Sequence, residues 1–361
     1  MNFMTDTYTL ILIFSTYLIS MLVYHFLLRQ SRRYTLRKAN VTAVRFSSQT
    51  KPVSGGIGFF IMFILAAVFF LYYLNDTVAV TPQVLTIGLA LTIAFFAGLL
   101  DDINNTPPLL KFISQLIIAV ICIYSGITID ISSNLWFNYC FTALWIIGIM
   151  NSVNMLDNMD AVASVAALTI LISIAANNFL GSRSVAEEHF IMIIFFTILA
   201  FLFFNWHPSK MYMGDSGSQF LGALLAIFAI KYIWNVNLHI PSDNSVLRTF
   251  TVVFLSFLIP ISDTFAVTVN RLLKGKSPFV GGRDHTTHHF FYRGLNEKSI
   301  AFLFFGISVI TNFTVVLISN DIIGILHPVS ISVTVLAFGY FVFAYINTRL
   351  TKPREDEKSS V

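Results

Sequence analysis

Apolar runs of near-spanning length follow one another along almost the whole chain, at about 8–28, 55–74, 82–100, 109–126, 136–153, 160–180, 189–206, 216–234, 247–269, 299–318 and 328–346. A helix needs roughly 20 apolar residues to cross a bilayer. Eleven such runs with only short polar breaks leave no room for a soluble domain, and the longest break, about 270–298, is too short for one. Charged residues make up 11% and hydrophobic ones 56%, against about 25% charged in a soluble domain. The expectation is an all-α polytopic membrane protein with about 11 transmembrane helices. Residues 1–348 form one integral-membrane domain and 349–361 a mobile charged tail. Asp6 precedes the first run and no small-residue cleavage site follows it, so that run reads as a retained span. Cys122 and Cys140 lie in different apolar runs and read as inert rather than as a disulfide or metal site.

Lys and Arg set the orientation. Nineteen of the 22 positive residues fall on the side of the C-terminus; only Arg183, Lys231 and Arg248 fall on the other. The positive-inside rule puts the C-terminus in the cytoplasm and the N-terminus outside. The basic balance marks topology; no nucleic-acid motif appears, and no nucleic acid is expected as a partner.

The chemistry-bearing residues collect on one side. "LLDDINN", "NSVNMLDNMD", "KMYMGDSGSQFLG" and "KGKSPFVGGRDHTTHHFFYRG" all fall on the expected cytoplasmic face, with Asp263 nearby. Adjacent Asp101 and Asp102 repel each other, and one helix cap would need only one of them. Asn154, Asp157 and Asp160 recur every three residues and share a broad face if helical; a cap followed by solvated acids is the plain alternative. Gly214 and Gly217 flank Asp215 where a helix opens, either a turn with an N-cap or a place for an anion. His285, His288 and His289 stand beside Arg283 in a loop expected to be exposed. No Cys or Glu stands at usual zinc spacing, and Arg with several His suits phosphate oxygens. Carboxylates near one face suit a hard cation such as Mg²⁺. P-loop, G-x-S-x-G and nucleophilic-Cys patterns are absent. Phosphoryl transfer at the membrane surface uses all these parts. A proton-coupled transporter is the alternative of another class, but would be expected to hold its carboxylates near the midplane.

These motifs, with "KPVSGG", "DD…PPLLKFISQ", "NxxDxxD" and "PISD…R…KGKSPF…RDH..HH" in that order from about Arg45 to Gly294, resemble the polyprenyl-phosphate N-acetylhexosamine-1-phosphate transferases (WecA/MraY-type, glycosyltransferase family 4). The resemblance implies transfer of N-acetylhexosamine 1-phosphate, with GlcNAc-1-phosphate favoured, from a UDP-sugar to polyprenyl (undecaprenyl) phosphate. UMP is released, and surface-polysaccharide or cell-wall polymer synthesis begins. It implies Mg²⁺, with Mn²⁺ as a substitute, and a multi-pass enzyme of the plasma membrane whose site faces the cytoplasm; a homodimer stays open. By the same resemblance Asp215 and Asn154 are metal-site residues, and Asp101, Asp102, Asp157, Asp160, His288 and His289 are catalytic. Lys111, Asn154, Asp263, Arg283 and His285 bind substrate. The chain writes "DNMDA" where the family commonly has "DGxDG". Asn158 tolerates a left-handed backbone nearly as glycine does and Ala161 does not, so an altered nucleotide pocket is expected. The His loop has two threonines before the His pair, and "KPVSGG" lacks a basic residue just before its glycines. A "PIHHHFE"-like segment is absent, which favours the N-acetylhexosamine branch over phospho-N-acetylmuramoyl-pentapeptide transferase, the alternative within the fold.

Overall fold

The computed structural model describes residues 3–31, 51–73, 81–181, 185–238, 244–278 and 281–351. Most of the basic stretch before "KPVSGG" and residues 352–361 of the expected tail lie outside the described residues. In chain order the helices are α1 (Phe3–Ser31), α2 (Gly55–Tyr73), α3 (Pro82–Asn104), α4 (Pro108–Tyr124), α5 (Leu135–Leu156), α6 (Val162–Leu180) and α7 (Val185–Asn205). They continue with α8 (Gly214–Ala229), a π-helical turn (Ile230–Trp234), α9 (Asn235–Leu238), α10 (Ser245–Ser256), α11 (Leu258–Leu273), α12 (Thr286–Tyr292), α13 (Glu297–Ser319) and α14 (Pro328–Leu350). Among the described residues there is no strand, only one isolated bridge between Val53 and Tyr212.

Every apolar run falls on helix. Among the described residues, eight helices are long and apolar enough to span a membrane, nine if α10 and α11 count as one. Two further apolar stretches among the described residues, Gly55–Phe70 and Pro108–Tyr124, match the remaining expected runs. The ninth run is not straight: α10 and α11 meet at 81°. Pro260 has no N–H to give the Ser256 carbonyl one turn back. Asn312 Nδ2 donates to that carbonyl instead, at 3.3 Å, and Asn312 Oδ1 accepts from Ser256 and Ser173 hydroxyls. The break is therefore stabilised by polar side chains buried among helices, as lipid-embedded backbone requires.

Helix α8 is the axis of the bundle. Every one of its residues except Asp215 is buried, and it packs against α2, α3 and α5. A helix apolar on all sides belongs at the centre. Two of the three positive residues assigned to the other side are paired: Lys231, on the π turn, with Glu187, and buried Arg248 with exposed Asp321.

Candidate active site

The single uncovered residue of α8 stands in its first turn. Gly214 enters that turn at φ +76°, a left-handed conformation that glycine adopts without strain. Asp102, at the end of α3, meets the turn from the side. Its Oδ1 accepts the Asp215 backbone N–H at 2.9 Å; its Oδ2 accepts the Ser216 N–H at 2.9 Å and the Ser216 hydroxyl at 2.7 Å. A carboxylate there answers orphan N–H groups and the positive end of the helix dipole. Gly98 permits the approach, since a Cβ at that position would lie 2.2 Å from the Asp215 carbonyl oxygen.

Asp101 faces elsewhere. Its Oδ1 accepts the backbone N–H and hydroxyl of Thr106 at 2.8 and 2.7 Å. Asn105 turns the chain at φ +51°, a conformation Asn tolerates, and Pro108 opens α4 at a position where its missing N–H costs nothing. The reversal returns Lys111 Nζ to within 2.9 Å of both Asp101 Oδ2 and Asp215 Oδ2. Asn154 Nδ2 donates to Asp215 Oδ1 at 2.9 Å and to the Ser218 hydroxyl at 2.8 Å. Asp101, Asp102, Lys111, Asn154 and Asp215, from four helices, thus form one cluster. The segment before Asp215 is held by "KPVSGG": Gly55 and Gly56 N–H groups donate to the Tyr212 and Met213 carbonyls at 3.0 and 2.9 Å.

Asp160 belongs to a second group of side chains. Asp157 is the C-cap of α5. Asp160 is buried and accepts the Ser209 N–H at 3.0 Å and hydroxyl at 2.7 Å, with Lys51 Nζ 3.7 Å away. His207 Nδ1 lies 3.1 Å from Asp160 and 3.0 Å from Glu297. Asp160, His207 and Glu297 are the one group of three such side chains, among the described residues, close enough together to share an ion. His207 Nδ1 stands between the two carboxylates, and the His207 side chain is partly exposed. Sequence reasoning passed over His207 and Glu297; a His-Pro step and a Glu opening an apolar helix were their only marks.

A further group surrounds α12. Asp263 is fully buried. Its Oδ2 meets His285 Nδ1 at 2.8 Å, and its Oδ1 accepts the Thr286 N–H at 2.7 Å and hydroxyl at 2.6 Å. It therefore fixes the start of the helix carrying His288 and His289, which the sequence did not foretell as a helix. Arg271, also passed over, forks onto Asp284 at 2.8 and 2.6 Å and donates to the Pro278 carbonyl at 2.8 Å. The Arg283 carbonyl accepts the Tyr292 hydroxyl at 3.2 Å. Asn158 Oδ1 accepts the Thr287 hydroxyl at 2.5 Å, which ties α12 to the end of α5.

Two expectations are corrected here. The His loop is not exposed: His285, His288 and His289 are 6%, 2% and 8% exposed, because α12 packs against α11, α13 and α14. Burial, helped by the nearby His285, pushes His288 down to about 3; burial pushes His289 down to about 4. Both are neutral near pH 7. Burial alone would raise the Asp284 carboxyl, but the hydrogen bonds and charge of Arg271 outweigh it and hold it below the usual range. The second correction concerns "DNMDA". The left-handed residue is not Asn158 but Ala161, at φ +67°. Its N–H donates to Asn205 Oδ1 at 3.0 Å.

The family model described as glycosyl transferase family 4 matches residues 84–233, a span that holds the whole Asp215 cluster. The chain is 26% identical over 245 residues to a "Probable undecaprenyl-phosphate N-acetylglucosaminyl 1-phosphate transferase" of Bacillus subtilis, covering 65% of each chain. It is 29% identical over 292 residues to a phospho-N-acetylmuramoyl-pentapeptide-transferase of Heliobacterium modesticaldum, covering 75% of this chain and 84% of that one. The same enzyme of Staphylococcus carnosus is 28% identical over 285 residues, covering 72% and 82%. The alignment thus spans just under two thirds of the Bacillus relative and more than that of the other two.

Proposed function

The chain belongs to glycosyl transferase family 4, and on that premise we propose that it transfers N-acetylglucosamine 1-phosphate from a UDP-sugar to polyprenyl phosphate, undecaprenyl phosphate in particular, with release of UMP. The observation that carries the reading is the meeting of Asp101 and Asp215 at one ammonium, Lys111 Nζ.

An oxygen of the acceptor phosphate attacks the β-phosphorus of the donor; the bond from that phosphorus to the bridging oxygen breaks, and UMP leaves. The acceptor phosphate is mostly ionised near neutral pH, with its second pKa near ~6, so a strong general base is unnecessary. Positioning and charge balance do most of the work in such transfers. The Asp215 carboxylate and the Asn154 amide offer oxygen donors suited to Mg²⁺. Asn154 now turns its NH₂ toward Asp215, so holding the ion requires the amide to present its oxygen. Bound there, Mg²⁺ would offset charge developing on the diphosphate. Lys111 partly neutralises the two carboxylates and lets an anionic substrate approach. Asp102 sets the direction of Asp215 through its backbone. Asp263, with no exposed surface, acts on substrate only through His285 and α12, and Arg271 braces the loop carrying Arg283. We assign Asp157 and Asp160 to the donor side of the site, and His288, His289 and Arg283 to its diphosphate.

The greater coverage of the pentapeptide-transferase relatives favours UDP-N-acetylmuramoyl-pentapeptide as the second donor to consider. Purified protein given polyprenyl phosphate and each labelled donor separates the two. Label in lipid with equimolar UMP from UDP-N-acetylglucosamine is expected; transfer from the pentapeptide donor alone would transfer the assignment. A cytoplasmic site is part of the proposal. In a chain whose exposed Cys140 is first replaced by Ala, Ser277→Cys should resist an impermeant thiol reagent in intact cells and Asn134→Cys should react. The opposite pattern would reject the orientation.

A further inference from the structure

One turn further into the bundle, the helices carrying Lys111, Asn154 and Asp215 meet a second time. Gln115 follows Lys111 by four residues on α4, Gln219 follows Asp215 by four on α8, and Asn151 precedes Asn154 by three on α5. Each shares a helix face with its cluster residue, about 4.5–6 Å deeper. Gln115 and Gln219 are each 1% exposed. Asn151 Nδ2 donates to the Ile147 carbonyl and to Gln115 Oε1, both at 2.8 Å, and Gln115 Nε2 donates to Gln219 Oε1 at 3.0 Å. The Ile147 carbonyl only accepts, which fixes the polarity of the whole chain. Asn151 must turn its NH₂ to that carbonyl, Gln115 must then present oxygen to Asn151, and Gln219 must present oxygen to Gln115. Gln219 Nε2 is left buried without a partner among the described residues. An unmet buried donor is costly, and apolar side chains would join the three helices without that cost. What the amides add is register, because directed bonds do not tolerate the sliding that apolar contacts do.

Register matters most between α4 and α8. Helix α4 packs on α3 and α5 and meets α8 through long side chains, Lys111 to Asp215 and Gln115 to Gln219. A divalent cation at Asp215 competes with Lys111 for the same carboxylate, so loading the site weakens the first link and leaves the second. We infer that Gln115 is a positioning residue for the metal-loaded state. Through Gln219 it holds α4 against α8, and so keeps Lys111 within reach of the diphosphate, when the Lys111–Asp215 pair opens. The inference rests on the proposed Mg²⁺ site and adds to it the device that keeps the site assembled. Mg²⁺ demands near-ideal octahedral geometry, and such sites need their groups held within about 0.5 Å. Asp215 and Asn154 stand on α8 and α5, the two other helices that the amide chain joins to α4. Gln115 acts through the helices it joins.

Two readouts on the full chain in nanodiscs test this. One is the rise in Tm at the Mg²⁺ concentration that half-saturates the wild-type rise; the other is the Mg²⁺ concentration giving half-maximal transfer. Gln115→Leu breaks both bonds of the amide chain. The Tm rise should shrink to half of the wild-type value or less, and the half-maximal Mg²⁺ concentration should increase at least fivefold. Plain structural glue would lower Tm equally with and without Mg²⁺ and leave the Mg²⁺ dependence as in wild type, and that result overturns the inference. The double variant Gln115→Leu, Gln219→Leu keeps the test decisive where the single variant is poorly folded. With both partners apolar, no orphaned amide is left between α4 and α8, and the metal-free Tm should return toward wild type. The Mg²⁺ dependence should stay shifted; its return together with Tm overturns the inference. Ala166→Gly, in α6, which gives no residue to the cluster, should lower Tm without moving the Mg²⁺ dependence, and an equal shift there overturns the inference too. Unchanged Mg²⁺ dependence in both Gln variants, with wild-type transfer intact, removes the positioning role and leaves the transferase reading standing. Absence of transfer in wild type removes that reading, and the Tm rise then decides the role of Gln115. Absence of any Mg²⁺-induced rise in wild type overturns the metal assignment and this inference together.

Discussion

Asp102 holds Asp215 by its main chain: the Asp102 carboxylate accepts the Asp215 backbone N–H and, with its other oxygen, the Ser216 N–H, each at 2.9 Å. Adjacent Asp101 instead shares Lys111 with the Asp215 side chain. The two neighbouring acids therefore do different work, one through backbone and one through charge. Asp102→Asn keeps the shape and loses the charge facing the helix N-terminus. The expected cost is about 1 kcal/mol or more of stability, and about a hundredfold in kcat through misplacement of Asp215. Asp101→Asn should leave melting nearer wild type and change acceptor use instead. Equal effects of the two variants on thermal melting and on both KM values would refute this division.

Lys111 can be tested through metal linkage. With the ammonium gone, Asp101 and Asp215 face each other with less compensation, and a divalent cation gains what Lys111 supplied. Lys111→Met should therefore be less stable without metal and should gain more from Mg²⁺ than wild type does. Saturation at about a hundred times Kd is worth about 2.7 kcal/mol, readily seen as a Tm shift. Identical Mg²⁺-induced shifts in the two proteins would place the ion away from this cluster.

Much of this was legible from residue order alone. Helix positions followed from apolar length, and the grouping of Asp101, Lys111, Asn154 and Asp215 followed from motifs that match a known family. Contacts that depend on packing were not legible. The burial of α12 required knowing that α11, α13 and α14 would close around it. The use of Asp263 as a cap for His285 and Thr286 required the α10–α11 break. Arg271 looked like one more basic residue at a helix end, and its fork onto Asp284 joins positions 13 residues apart. The glycines of "KPVSGG" carried no structural role in the sequence, and the structure uses their N–H groups to join α2 to the segment before Asp215.

The neutral histidines give a pH dependence of stability. His288 and His289 titrate near 3 and 4 in the folded protein, and near 6.5 when unfolded. Between those values the unfolded chain binds more protons, so stability rises with pH. Their contribution is fully present above about pH 6.5 and is lost as pH falls toward 4 and then 3. Asp284 acts in a lower window: its depressed folded value gives stability present above its unfolded pKa of about 4 and lost only below it. Melting in detergent from pH 7.5 to 5 should show a falling Tm, with a shallower slope in His288→Gln. A slope that His288→Gln leaves unchanged would mean that other groups govern the acid response.

Ala161 holds a left-handed backbone with a side chain attached, and the backbone there carries a measurable signature. An alanine at φ +67° bears a left-handed cost of roughly 1–2 kcal/mol. Ala161→Gly relieves that cost, but it also removes a buried methyl, worth about 0.8 kcal/mol, and adds chain entropy of about 0.5–1 kcal/mol. The terms nearly cancel, so the variant should melt close to wild type. Ala166, equally buried but inside α6, has no strain to relieve. Ala166→Gly should cost the methyl plus about 1 kcal/mol of helix propensity, roughly 2 kcal/mol in all. The difference between the two variants isolates the strain, and parallel chemical or thermal unfolding measures it. Equal destabilisation at both positions would show that Ala161 is not held in the left-handed region.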